Sequence, residues 1–326
     1  MAAEPGRLRR AASGALRRAL ARHDRRLVDL RHHRVVERSY AGPVPEWERL
    51  PPETFTAPHP MPGVAWDPLP GLALLEGELR DGLAELELPA LAEIPPAERA
   101  ELLRFYEGLD AAALHALVRH VRPRRVVELG SGVSTLVTAR ALERNAADGA
   151  PGELVAYDPY PRAPTAAAVH DIRRVPAEEV PRAAVEELDA GDVLFVDTTH
   201  VVRTGGDVVR IYLDLVPRLA PGVLLHVHDV LLPYDYHREW LANGWFWNEQ
   251  YLVQALLQGN PEWEVVLAHH QLHREHGDRV AAAVPAYDGA GQHPSALWLR
   301  RRVPGEEGPL AARLRAHRPD GPEPTR

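Results

Sequence analysis

From Arg124 onward the chain alternates between short apolar runs and longer mixed stretches. "RVVELG", "ELVAYDP", "DIRRVP", "DVLFVDTTH" and "GVLLHVHD" are β-branched or wholly apolar through their centres, and helical spacing or a loop follows each. Runs that are apolar at every position are buried on both faces, and helices between them indicate parallel crossovers. "WEVVLAHHQL" and "SALWLRR", after a helical pattern around "WNEQYLVQALLQ", add two more strands. The pattern predicts an α/β fold: a doubly wound, Rossmann-like, mostly parallel seven-stranded sheet with an N-terminal helical extension.

Upstream the rhythm differs. In residues 7–38, Leu8, Ala12, Leu16, Leu20, Leu27 and Leu30 recur near helical spacing among dense arginines. This reads as an amphipathic helix with a solvated Arg face; the competing reading is a basic arm for an acidic partner or a membrane surface. Residues 41–70 are rich in proline and read as an extended connector. Helical patterns return over 71–120, with proline opening "IPPAERAELLRFYEGL" and Asp110 placed as an N-cap of "LDAAALHALVRHV". Asp207 in "TGGDVVR" reads as another cap. The chain after about Gly305 is polar with no apolar period, which predicts disorder. The expected organisation is a helical and proline-rich cap over 1–100, a catalytic domain over 101–303 and a disordered tail over 304–326.

Composition narrows the chemistry. The 326 residues include no cysteine and no lysine, and the net charge is -8. Disulfides, thiolate zinc sites, Cys nucleophiles, Schiff-base lysines and a P-loop lysine are excluded. The charge gives no reason to expect nucleic acid or an anionic membrane as partner. No apolar run approaches the roughly 20 residues that span a bilayer. The N-terminus has charges but no apolar signal core, so a cytoplasmic location is expected.

The first predicted strand ends in Glu128-Leu129-Gly130-Ser131-Gly132. In open parallel sheets the ligand lies beyond the carboxyl ends of the strands, and glycines there let the backbone approach it. A dinucleotide fingerprint would place a third glycine where Thr135 stands, and a Walker loop would need a lysine. Glu128 would repel a pyrophosphate and attract an ammonium or sulfonium by roughly a few kcal/mol in a partly buried site. The bend therefore suits a cationic ligand without phosphate, and S-adenosylmethionine carries both a sulfonium and an α-ammonium. The second strand ends in Asp158, placed to accept ribose hydroxyls.

With "VVELGSGVST", "VAYDP", "GDVLFVDTTHV" and "RLAPGVLLHVHDVLLPYDY", the chain resembles the class I S-adenosylmethionine-dependent methyltransferases over about residues 100–302. Within them it is similar to a bacterial small-molecule branch that O-methylates sugars and secondary metabolites. The resemblance implies S-adenosylmethionine as cofactor and a small-molecule acceptor, with O-methylation of a hydroxyl as the reaction. It implies that Glu128, Gly130, Ser131, Gly132 and Ser134 surround the methionine part, that Asp158 holds the ribose, and that residues around Pro176 to Glu178 flank the adenine. Asp197 also belongs to the cofactor crevice. Assembly into a homo-oligomer through the N-terminal helices is a further expectation.

"FVDTTH" places Asp197 at the end of the fourth strand with His200 just beyond, and "HVHD" places His226, His228 and Asp229 at the fifth. Two roles fit this cluster. In metal-dependent O-methyltransferases, Asp residues at these two strand ends hold Mg²⁺, which matches Asp197 and Asp229; those enzymes follow the second Asp with Asp or Asn, where this chain has Val230. A histidine in place of that ligand would shift preference toward another divalent cation. The other role is general-base catalysis by His200 or, second, His228, with Asp197 assisting. His226 reads as structural. Tyr234, Tyr236, Trp240, Trp245 and Trp247 are expected to wall an acceptor pocket, and Asn248 and Glu249 open a helix that could reach it. Two rival functions remain: an NAD-dependent oxidoreductase, against which Glu128 and Thr135 speak, and a non-catalytic scaffold acting through its basic N-terminal helix.

Overall fold

The computed structural model describes residues 42–88, 103, 106, 108–162, 165, 171–289 and 291–315. The basic helix expected over 7–38, and any assembly through it, lie outside the described residues. The chain divides into two compact units, Met1–Pro51 and Pro52–Arg326. The described part of the first unit holds one 3₁₀ turn, Trp47–Arg49.

The second unit is built on seven strands: β1 (Arg125–Leu129), β2 (Glu153–Tyr157), β3 (Ile172–Arg173), β4 (Val193–Val196), β5 (Leu224–Val227), β6 (Trp263–Ala268) and β7 (Leu297–Arg301). Their order is β3-β2-β1-β4-β5-β7-β6. The first five run parallel, while β7 lies antiparallel between β5 and β6. This is the doubly wound, mostly parallel sheet that the apolar runs predict. The order reverses at β1 and β4, so a crevice opens beyond their carboxyl ends.

Alternation along the strands feeds two cores. Val126, Phe195, Leu224 and Trp298 face one layer, and Val127, Leu129, Leu194, Val196 and Leu225 face the other. The first layer contains α1 (Leu69–Glu76), α2 (Arg80–Ala84), α3 (Gly108–Val121) and α4 (Val133–Ala147). Part of the stretch expected as a cap or extension over 1–100 packs into this layer. Leu72, Leu74, Leu75, Leu79 and Leu83 are buried in the main core, each leucine contributing about 1.5–3 kcal/mol by leaving water. These short helices look peripheral in sequence only because prolines and glycines interrupt them. Within the stretch expected as a disordered tail, residues 304–315 are described, and a last helix, Leu310–Arg315, buries Leu310 and Leu314 in the same core.

Charged side chains lock the frame where backbone groups would otherwise go unpaired. The Asp192 carboxylate accepts the Arg124 and Arg125 amides at 3.0 and 2.9 Å, tying the start of β1 to β4. Arg300, 1% exposed, reaches Glu264 at 3.0 Å and Glu306 at 2.6 Å. Among the described residues no helix is long and apolar enough to cross a membrane.

Candidate active site

The glycine bend follows β1 directly. Gly130 has φ +94°, and a Cβ built on it would fall against the Asp197 carbonyl oxygen, so only glycine lets the two strand ends close. Gly132 is extended and opens onto empty space, with nothing within 4 Å of where a Cβ would stand. The Gly132 amide donates to Thr135 Oγ1 at 2.9 Å. The hydroxyl thus closes the first turn of α4 from the position where a dinucleotide fold has its third glycine.

Glu128 is 1% exposed. Ser134 Oγ donates to its Oε1 at 2.6 Å, while Oε2 is buried with no hydrogen-bond partner. Burial pushes the carboxyl up to about 8; the Ser134 and Thr135 hydroxyls pull the other way, and Asp197 and Asp158 repel its charge. A buried acid with an orphaned oxygen and no cation beside it fits a ligand that brings positive charge. At the end of β2 the half-buried Asp158 accepts Ser131 Oγ at 2.5 Å and the Tyr160 amide at 2.6 Å. Hydrogen bonds thus link Ser131 to Asp158 and Ser134 to Glu128 around the glycine bend, past the carboxyl ends of β1 and β2. Pro176 to Glu178 lie past β3 at the start of a 3₁₀ turn, where Ala177 is packed into the core.

Next to the bend stands the acidic and histidine cluster. Asp197 ends β4 and Asp229 lies just beyond β5. His200 and Asp229 hold left-handed backbone, at φ +59° and +55°, a conformation L residues adopt at a cost and keep only where surroundings enforce it. His200 Nε2 lies 3.2 Å from Asp197 Oδ1 and 3.4 Å from Asp229 Oδ2, and its Nδ1 lies 2.8 Å from Glu249 Oε2. One ligand atom each from Asp197, His200 and Asp229 falls within 4.8 Å of the others. Burial opposes charge on His200, but the bonds to Asp197 and Glu249 and the charge of Asp229 outweigh it and raise its pKa well above the ordinary histidine value.

His228 turns its Nδ1 toward Asp197 and Asp229, at 3.8 and 3.6 Å, and its Nε2 toward Asp110 at 3.5 Å and Ser295 Oγ at 3.4 Å. Asp110 is not an N-cap. It lies inside α3, buried, and accepts His269 Nδ1 at 2.6 Å and the amides of Ser295 and Ala296 at 3.0 and 3.3 Å. Burial raises its pKa, yet His228 and His269 hold it well below the usual carboxylate range. Asp207 is likewise not a cap: its carboxylate accepts the Thr199 amide and hydroxyl at 2.9 and 2.8 Å, fixing the loop that carries His200. Sequence reasoning missed Asp110 and Ser295 as parts of the site. A charged residue inside the Ala/Leu-rich run was a signal for the first; nothing local marked the second.

A cavity of about 780 Å³ opens over this cluster. Asp110, Asp197, His200, His228 and Asp229 form its floor, and Trp240, Trp245 and Trp247 form a wall. The Trp245 and Trp247 rings stack at 5.1 Å, and Trp247 lies 4.6 Å from the His200 ring. Tyr234 and Tyr236 do not line the cavity: Tyr234 is buried with its hydroxyl on Glu275, and the Tyr236 oxygen accepts the Gln250 amide. His226 is a core residue as expected, fully buried and stacked on Phe195 at 3.9 Å; burial lowers its pKa well below the usual value. Asn248 stays outside the site and accepts the Val202 amide, whereas Glu249 reaches it.

Residues 127–230 match the family model described as a methyltransferase domain. No curated protein matches the chain. Among solved structures, a Thermobifida fusca YX protein crystallised as a candidate methyltransferase is 14% identical; the alignment covers 73% of this chain and 100% of that one, with a TM-score of 0.33. That likeness is too distant to carry weight. The family match begins within β1 and ends just after Asp229, so it spans both the glycine bend and the acidic cluster, and it sets aside the oxidoreductase reading. Residues 127–230 thus carry a methyltransferase domain, set on a sheet whose strand order reverses beside the buried Glu128.

Proposed function

We propose that the chain transfers the methyl group of S-adenosylmethionine to a hydroxyl of a small-molecule acceptor, with a divalent cation held by Asp197, His200 and Asp229. The observation that carries this reading is the convergence of one imidazole nitrogen and two carboxylate oxygens at the ends of β4 and β5. They lie on the floor of the acceptor-sized cavity. The mixed N/O donor set suits Mn²⁺, Fe²⁺ or Co²⁺ as well as Mg²⁺. Asp197 joins the two halves of the site, because its main chain packs on Gly130. When bound, the sulfonium supplies an electrophilic methyl carbon and the cation supplies Lewis acidity toward the acceptor oxygen.

The chain's own residues supply the rest. Glu128 offers its unpaired oxygen to the positive end of the cofactor, and Asp158 exchanges Ser131 for ribose hydroxyls. His200 reaches Asp197 and Asp229 with Nε2 and Glu249 with Nδ1, which places it among the cation's ligands. His228 is better placed to take the acceptor proton: Asp110 faces one nitrogen, and the other is turned to the Asp197–Asp229 pair. Trp240, Trp245 and Trp247 exclude water and orient the acceptor, so that nucleophile, methyl and sulfur lie in line. The test is calorimetric titration of Mn²⁺ into the protein saturated with S-adenosylhomocysteine. One site in the wild type, lost in Asp229→Asn, is the expected result. Equal binding by both proteins, or none, refutes the cation.

A further inference from the structure

We infer that Glu249 is a positioning residue for the cation site: its carboxylate fixes the His200 ring so that Nε2 presents its lone pair to the space between Asp197 and Asp229. The inference rests on the reading of that cluster as a cation site. It adds a residue that touches neither cation nor acceptor.

Glu249 opens the helix Glu249–Leu257 and is 0% exposed. Its Oε2 accepts from His200 Nδ1 at 2.8 Å, and its Oε1 is buried with no hydrogen-bond partner. A carboxylate at such depth is retained only where a partner compensates its lost hydration, and the His200 Nδ1–H is the donor in contact with it. A histidine that donates from Nδ1 has its lone pair on Nε2, the nitrogen that lies 3.2 and 3.4 Å from the two aspartates. A ring nitrogen bound to a carboxylate is the usual support of a metal-ligating histidine, because it sets the tautomer, the ring angle and the basicity of the ligand.

The backbone repeats the clamp. The amides of Asn248 and Glu249 both donate to the His200 carbonyl, at 3.0 and 3.2 Å, and Asn248 Oδ1 takes the Val202 amide at 2.6 Å. One helix start thus grips His200 by ring and main chain and holds its left-handed backbone in place. The π turn Ile211–Leu215 carries the buried Tyr212, whose phenol pKa is raised well above its usual value by burial and by the charge of Glu249. A π turn inserted beside a ligand-bearing loop is a common mark of a functional site. Trp247, two positions before Glu249, covers the His200 ring from the cavity side. The segment that walls the acceptor pocket therefore also carries the support of the cation ligand.

The experiment compares the wild-type chain with Glu249→Gln, which keeps shape and an acceptor oxygen but loses the charge, and with Glu249→Asp, which keeps the charge but retracts it. Mn²⁺ affinity is read by calorimetry, the visible spectrum of the Co²⁺-loaded protein reports the nitrogen ligand, and melting in EDTA reports the fold. The expected result is Mn²⁺ binding weakened by about 10–100-fold in Glu249→Gln. Its Co²⁺ spectrum should change while the melting temperature is kept, and Glu249→Asp should fall between the two. If Glu249→Gln binds Mn²⁺ as tightly as the wild type, the inference is overturned and the cation reading stands. If the wild type binds no Mn²⁺, the cation reading falls and takes the inference with it. If both variants melt early and bind in proportion to their folded fraction, Glu249 is merely structural and the inference is overturned.

Discussion

Glu128 should release a proton when the cofactor binds. Its carboxyl is buried and its pKa is pushed up to about 8, so at pH 7 it is about nine-tenths protonated. A ligand ammonium or sulfonium beside the orphaned Oε2 stabilises the anion; a drop of two units or more would leave the carboxyl mostly ionised at pH 7 and release about 0.8–0.9 proton. Calorimetry with S-adenosylhomocysteine at pH 7, in two buffers of different ionisation enthalpy, reads that proton directly. Affinity should rise by about tenfold between pH 6 and 7 and by less between 7 and 8, where the ligand's own amine begins to lose its proton. In Glu128→Gln both the release and the pH dependence should vanish. Without ligand, a folded-state pKa above the unfolded value of 4.5 means stability is greatest below that value and is lost as pH rises toward 8, by up to about 1.4 kcal/mol per pH unit. Glu128→Gln should flatten that decline. A binding enthalpy independent of buffer, with affinity unchanged from pH 6 to 8, would refute the argument that this carboxyl waits for a cation.

Asp158→Ala should weaken S-adenosylhomocysteine by several-fold or more, because its carboxylate sits at the end of β2 beside the glycine bend, held by Ser131 Oγ and the Tyr160 amide; calorimetry checks it, and unchanged affinity removes the residue from the ribose site. Gly130→Ala would drive a methyl group into the Asp197 carbonyl at a left-handed position, so cofactor and Mn²⁺ binding should both fail while far-UV circular dichroism persists. Arg300→Met removes the buried link between Glu264 and Glu306 while Glu264 keeps Arg313, and should cost about 1–3 kcal/mol in urea unfolding, with cofactor affinity kept in the folded fraction.

The strands were legible because β1, β2, β4 and β5 are apolar on both faces, a pattern only a covered parallel sheet requires. The reversal of β7 was not, since an apolar run reads the same in either direction. Glu128 announced itself as an acid in an otherwise apolar strand. Asp110 did not reveal its role, because its partner His269 lies 159 positions later while its immediate neighbours resemble an ordinary helix start. The aromatic segment was legible only in part. Trp240, Trp245 and Trp247 face the cavity, while Tyr234 and Tyr236 face the core, and composition alone does not decide between those directions. The packing of the early helices was not legible, because their leucines find partners on β6 and beyond, far along the chain.

The claim on which the account turns is that the ends of β4 and β5 hold a cation beside the methyl donor. A crystal grown with S-adenosylhomocysteine and Mn²⁺, measured for the anomalous signal of manganese, tests it most directly. The expected result is one manganese peak bonded to Asp197, His200 and Asp229, with the cofactor's amine against Glu128. An occupied cofactor crevice with no manganese between those three side chains would contradict it.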